Sequence, residues 1–183
     1  MKINFLITLI ILTSVHTWAQ TMGIRTGFNI AYQLADNIED FDPAAQPFPH
    51  IYFTINNEQA EKTSFQLEFG YSVAGSKEIS LHYVACGIYV KQHFKRKANI
   101  HIGPQLGFLL DTDYSGIGHA DASIGMGGEY YISSYVGIGI RYQFGLTDLI
   151  DDFDGVSATL KNRVIQLSII FRFPSRQLSE LAY

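Results

Sequence analysis

Cysteine is almost absent: Cys86 stands alone among 183 residues, so no internal disulfide can staple this fold. An apolar strand position is the simplest role for it. Basic charge is also scarce, with 13 Lys and Arg against 17 Asp and Glu and a formal net charge of −4. The one basic run, Lys95-Arg96-Lys97, reads as a solvated turn, and no nucleic-acid partner is indicated. Beyond residue 19 there is no apolar run of about 18 residues, which rules out a membrane-spanning helix. Cofactor signatures are missing as well. The strings GIGHAD, GMGGEY and GIGIRY never complete G-x-G-x-x-G or open a helix. His50, His82, His93 and His101 are scattered without metal-ligand spacing. No cofactor or metal is expected.

Glycine and aromatics are plentiful, at 16 Gly, 13 Phe and 11 Tyr. Residues 1–19 read as a signal peptide: Lys2 gives the positive start, Ile3 to Leu12 the apolar core, and Thr17-Trp18-Ala19 a small-x-small cleavage site. Removing that segment takes the net charge to −5. The run is too short for an anchor, since a spanning helix needs roughly 20 apolar residues, and no cysteine marks a lipoprotein site.

The remainder divides into eight strand-length segments, at residues 22–34, 48–56, 63–74, 79–93, 98–110, 119–132, 135–147 and 162–173. Short turns and mostly longer loops alternate between them. An even strand count with that alternation predicts an all-β fold, an eight-stranded antiparallel up-and-down transmembrane barrel spanning residues 20–173. The two faces of each strand support this. In VGIGIRYQFGL (136–146) one parity is Val136, Ile138, Ile140, Tyr142, Phe144 and Leu146, and the other is Gly137, Gly139, Arg141, Gln143 and Gly145. Similar apolar sets are Ile24, Phe28, Ile30 and Tyr32; Phe65, Leu67, Phe69, Tyr71 and Val73; and Ile165 through Phe173. A soluble lipocalin-like barrel also alternates, with its apolar set inside. Its wet face should then be dense in Lys, Glu, Asp and Thr rather than glycine. Glycines opposite Arg and Gln make steric sense inside a narrow eight-stranded lumen, so the polar face is predicted to point inward. Tyr130 and Tyr135 at one rim, with Tyr32, Tyr71, Tyr142 and Phe144 at the other, suit aromatic girdles.

The inward parity carries isolated charges. Arg25, Lys91, Glu129 and Arg172 are expected in the half nearer the short turns, and Glu68 and Arg141 near mid-depth. An unpaired buried charge is costly, so a Glu68–Arg141 pair is predicted, acting as a plug rather than a gate or proton path. The barrel is expected to have no enzymatic activity. The alternatives are a rim-active lipid A hydrolase or acyltransferase, and a narrow pore or small-ligand binder. For the first, His119, Asp121 and Ser123 are the candidates, although strand neighbours at i, i+2 stand about 7 Å apart. The acidic stretch DLIDDFDG fails as an EF-hand, because position one would be Ile150 and position twelve Lys161. With Asp36, Glu39, Asp40 and Asp42 its aspartates are expected to make a solvated acidic rim, with lipopolysaccharide as a neighbour.

The segments GIRTGFNIAY (23–32), FQLEFGYSVAGSK (65–77), GPQLGFLL (103–110), GIGIRYQFGLTDL (137–149) and NRVIQLSIIFRF (162–173), in that order and spacing, resemble the PorT-like family of small, porin-like outer-membrane β-barrel proteins of Gram-negative bacteria. Strand four departs from the pattern, with Tyr83, Ala85 and Gly87 where the family often has an acidic residue and a proline. The resemblance implies the outer membrane, both termini in the periplasm, and a structural or accessory role, since the family's named member assists a protein secretion system. A secretion-system or other envelope protein is then the partner to expect. Gln166, Ser168, Phe171 and Phe173 resemble the signal read by the barrel assembly machinery, followed by a short tail at 174–183.

Overall fold

The computed structural model describes residues 20–36, 44–57, 62–77, 79–94, 97–111, 118–150 and 159–173. The expected signal peptide, the tail after Phe173, and Glu39, Asp40, Asp42, Asp151, Asp152 and Asp154 of the acidic rim lie outside the described residues.

Eight strands form the chain: β1 (Gln20–Asp36), β2 (Gln46–Asn57), β3 (Thr63–Gly75), β4 (Ser80–Phe94), β5 (Ala98–Asp111), β6 (Ala120–Tyr131), β7 (Val136–Gly145) and β8 (Thr159–Phe173). Each pairs antiparallel with its sequence neighbour, and β8 returns to β1 to close the barrel. Closure leaves no unpaired edge, which a sheet surrounded by hydrocarbon requires.

The two parities separate as expected. Phe28, Phe69, Ile88, Ile102, Ile140 and Ile169 stand exposed on the outer surface, while Arg25, Glu68, Lys91, Glu129 and Arg141 are almost fully buried in the lumen. Large apolar side chains outside and charges inside is the inverse of a soluble protein. Glycine makes the lumen geometrically workable. A Cβ at Gly125 would stand 3.0 Å from Tyr89 Cε1 and 3.1 Å from Arg141 Cδ, so the missing side chain is the space these two groups occupy.

The β3–β4 connection begins at Gly75, whose φ of 138° is one that side-chain-bearing residues rarely adopt. Alternation stops there, and residues 72–76 are buried without regard to parity. Val73, expected on the lipid face, is consequently only 3 % exposed. A second unforeseen feature lies at the same end. Ala31, Ala74, Leu81, Tyr83, Leu149, Leu160 and Val164 form an apolar cluster, with Phe48, Ile79, Leu109 and Ile150 against it. Leu149 enters it because the chain after β7 bends at Thr147 while staying bonded between the ends of β6 and β8. Its N–H donates to Leu160 O (2.9 Å) and its carbonyl accepts from Gly118 N (2.8 Å). Asp148, expected in the solvated rim, instead fastens this turn, its Oδ1 accepting from the N–H of Ile150 (3.2 Å) and of Leu160 (2.9 Å). Two orphan backbone donors near a buried turn are a stronger attraction for one carboxylate oxygen than bulk water beside other acids.

Candidate functional site: the lumen charge network

Inward parity sends buried polar side chains from every strand to the barrel axis. Two carboxylates organise them. Glu68 of β3 receives Arg141 of β7 in a bidentate fork, Nη1 to Oε2 at 2.6 Å and Nη2 to Oε1 at 2.9 Å. Arg25 Nε donates to Glu68 Oε1 at 3.1 Å, and Gln66 Nε2 donates to the same oxygen. Glu129 of β6 accepts from Arg25 Nη2, Lys91 Nζ (2.7 Å), Asn99 Nδ2 (2.9 Å) and the Tyr131 hydroxyl (2.7 Å). Arg25 therefore links the two carboxylates, and Glu68 and Arg141 meet across the lumen. The Arg172 guanidinium lies 4.4 Å over the ring of Tyr131, whose hydroxyl donates to Glu129.

Three cations thus face two carboxylates, every one of them buried. The surplus positive charge is met partly by a ring face, since the Arg141 guanidinium stacks 3.9 Å from the Tyr89 centroid. Arg141 Nε also donates to His101 Nε2 at 3.0 Å, which puts the ring proton on Nδ1, 3.9 Å from Glu129 Oε1. Several hydrogen bonds to each carboxylate are what let these ions persist in a low dielectric, although Arg25 Nη1 and His101 Nδ1 are buried without one.

Above the ions lies a layer of amides. Gln105 Oε1 accepts from the Tyr89 hydroxyl and from Gln143, both at 2.8 Å; Gln143 also donates to Gln166, and Gln166 donates to Asn29. A cavity of about 20 Å³, room for about one water, separates this layer from the apolar cluster. Asp121 borders it and accepts from Asn162 Nδ2 at 2.8 Å.

His119, Asp121 and Ser123 are not brought together. Asp121 is engaged by Asn162, Ser123 is buried on the lumen side, and His119 is exposed. Residues at i, i+2 on one strand face stand about 7 Å apart, so such a pair meets only where both side chains lean toward each other. Of the presumed assembly residues, Gln166 and Ser168 face inward, Ser168 Oγ lying 3.1 Å from His50 Nε2, while Phe171 and Phe173 face outward. Sequence reasoning overlooked His101, Asn99, Tyr89 and Tyr131. On β5 His101 shares the parity of Gly103 and Gln105, and on β4 Tyr89 shares that of Lys91.

No protein-family profile matches this sequence, and no curated protein does either. Solved structures do resemble it. Ail, the attachment invasion locus protein of Yersinia pestis, shares 12 % identity over 86 % of this chain and 100 % of that one, with a TM-score of 0.55. Neisserial surface protein A shares 9 % identity over 84 % of this chain and 97 % of that one, at 0.50. The outer membrane protein OprG from Pseudomonas aeruginosa shares 11 % over 87 % and 98 %, at 0.49. The likeness is one of fold. This chain has the small closed eight-stranded antiparallel barrel.

Proposed function

We propose that this chain is an integral outer-membrane barrel with a closed lumen and a structural or accessory role. The observation that carries the reading is the combination of an apolar outer surface with a lumen filled by paired ions and capped by apolar side chains. A belt of exposed Phe, Ile and Leu around a closed sheet has a matching solvent only in a bilayer. Packed ions and apolar side chains inside the barrel support a closed lumen, so a pore is the weaker alternative. On this reading residues 1–19 are a cleaved signal peptide, both termini lie in the periplasm, and the loop end faces outward among lipopolysaccharide. The barrel assembly machinery would insert the chain. Resemblance to the PorT-like family supports a secretion or assembly partner as the specific role.

The test is cell fractionation combined with a comparison of boiled and unboiled protein on a denaturing gel. Recovery in the outer membrane with a compact unboiled band is expected, together with electrical silence in planar bilayers. Soluble periplasmic protein without a mobility shift overturns the reading. The accessory role is checked by comparing exported proteins with and without the gene; an unchanged set argues against secretion.

A further inference from the structure

Three hydrogen bonds join a serine to a histidine among the described residues. Ser168–His50 and Ser64–His93 lie on inward parities. The third is different, because β4 presents Ser80 and His82 on its outer face while Leu81 and Tyr83 enter the inner apolar cluster.

Ser80 Oγ stands 3.4 Å from His82 Nε2, and His82 Nδ1 is hydrogen-bonded to the hydroxyl of Tyr71 on β3. Nucleophile, base and orienting group thus follow one another in a chain, the arrangement that nucleophilic catalysis needs. The i, i+2 spacing alone would not produce it; the adjacent strand supplies the third member. Local irregularities aim it. Gly75 starts the turn that delivers Ser80, with Ser76 N–H bonded to Ile79 O at 2.9 Å. Beside His82 the β4–β5 register shifts, so that His82 opposes Asp111 while Tyr83 opposes Leu109. Such shifts re-aim side chains.

Depth points to the substrate. Tyr71 is at the rim where tyrosines mark the membrane interface, the level at which lipid ester linkages lie. Around it the same outer surface offers Phe69, two residues deeper on β3, and Phe108 and Leu110 on β5 in register with Tyr71 and beside His82, all exposed. We propose that Ser80, His82 and Tyr71 form a carboxylic-ester hydrolase site for an acyl chain of an outer-leaflet lipid. The inference rests on the outer-membrane reading above.

In the reaction, Ser80 Oγ attacks the ester carbonyl carbon and its proton passes to His82 Nε2. The carbon–alkoxide bond breaks, and the departing oxygen takes that proton, leaving an acyl-serine. Water then attacks the acyl carbon, His82 removes the water's proton, and fatty acid leaves as Ser80 Oγ is reprotonated. Ser80 and His82 are the catalytic residues. Tyr71 is a positioning residue whose oxygen accepts the Nδ1 proton and keeps Nε2 free as base.

The test uses the full mature chain, purified from the outer membrane and placed in detergent micelles and in vesicles of lipopolysaccharide or phosphatidylethanolamine. Covalent labelling by a long-chain fluorophosphonate is read alongside fatty acid release by mass spectrometry. Labelling at Ser80 and release from one of these lipids are expected. Ser80→Ala should abolish both, and His82→Gln should lower release by about 100-fold or more. Tyr71→Phe should lower kcat with KM unchanged, which a merely structural role would not do. Ser64→Ala should behave as wild type, since that pair faces the lumen. Every variant must keep the unboiled compact band, which separates failure of the site from failure of the barrel reading. Unlabelled Ser80 in heat-shifting protein overturns the site, as does release that survives Ser80→Ala. Labelling without release from either lipid overturns the lipid substrate.

Discussion

The lumen is filled by opposite means in two regions. Near its middle and toward the short turns, Arg25, Glu68, Lys91, Glu129 and Arg141 fill it with ions. At the loop end, Leu81, Leu149, Leu160 and Val164 fill it with hydrocarbon. The ionic region is specific and unforgiving, because each group is buried for good and depends on named partners. The apolar region is non-directional, and a truncated side chain there leaves a cavity that neighbours can partly refill. A single barrel therefore shows directional and non-directional ways of filling the same space.

The sharpest way to break the comparison is to delete one ion. Glu68→Gln leaves Arg141 and Arg25 buried without their shared carboxylate, and a loss of about 3–5 kcal/mol is expected. It is read as the urea concentration at which the compact gel band disappears, a convenient assay because Trp18, the only tryptophan, lies in the expected signal peptide. Adding Arg141→Met should recover part of that loss; equal stability of the single and double variants removes the coupling. Leu149→Ala tests the other region by the same assay, with an expected cost of about 2–3 kcal/mol. It should leave the Glu68 coupling intact, since the two regions are separated by the amide layer and the small cavity. The smallest effect is expected from Tyr89→Phe. It removes the hydroxyl bond to Gln105 but keeps the ring beneath Arg141, for about 1 kcal/mol. A loss as large as that of Glu68→Gln would mean that the amide layer and the ionic layer are one network.

Most of the fold was legible in the chain because its signal is local. Alternation in VGIGIRYQFGL assigns faces with no knowledge of neighbours, and turn signals at Asn57 to Lys62 and Ser133-Ser134 mark strand ends. The strand ends observed differ from those expected by at most three residues. The site was legible only in part. Glu68 and Arg141 could be paired from sign, parity and depth. Nothing local, however, distinguished Arg25, which bridges both carboxylates, from Arg172, which stacks on Tyr131. Both are inward arginines near a strand end.

By itself the sequence determined eight antiparallel strands, their faces and a polar lumen, because side-chain direction in a strand repeats every two residues and hydrophobicity selects which face meets lipid. Only the tertiary structure decided which charges meet, that Asp148 fastens a turn, that Leu149 reaches the lumen mouth, and that Tyr71 completes a chain with His82 and Ser80. Those outcomes depend on closure of the barrel and on the register between strands, which set distances between residues far apart in the chain.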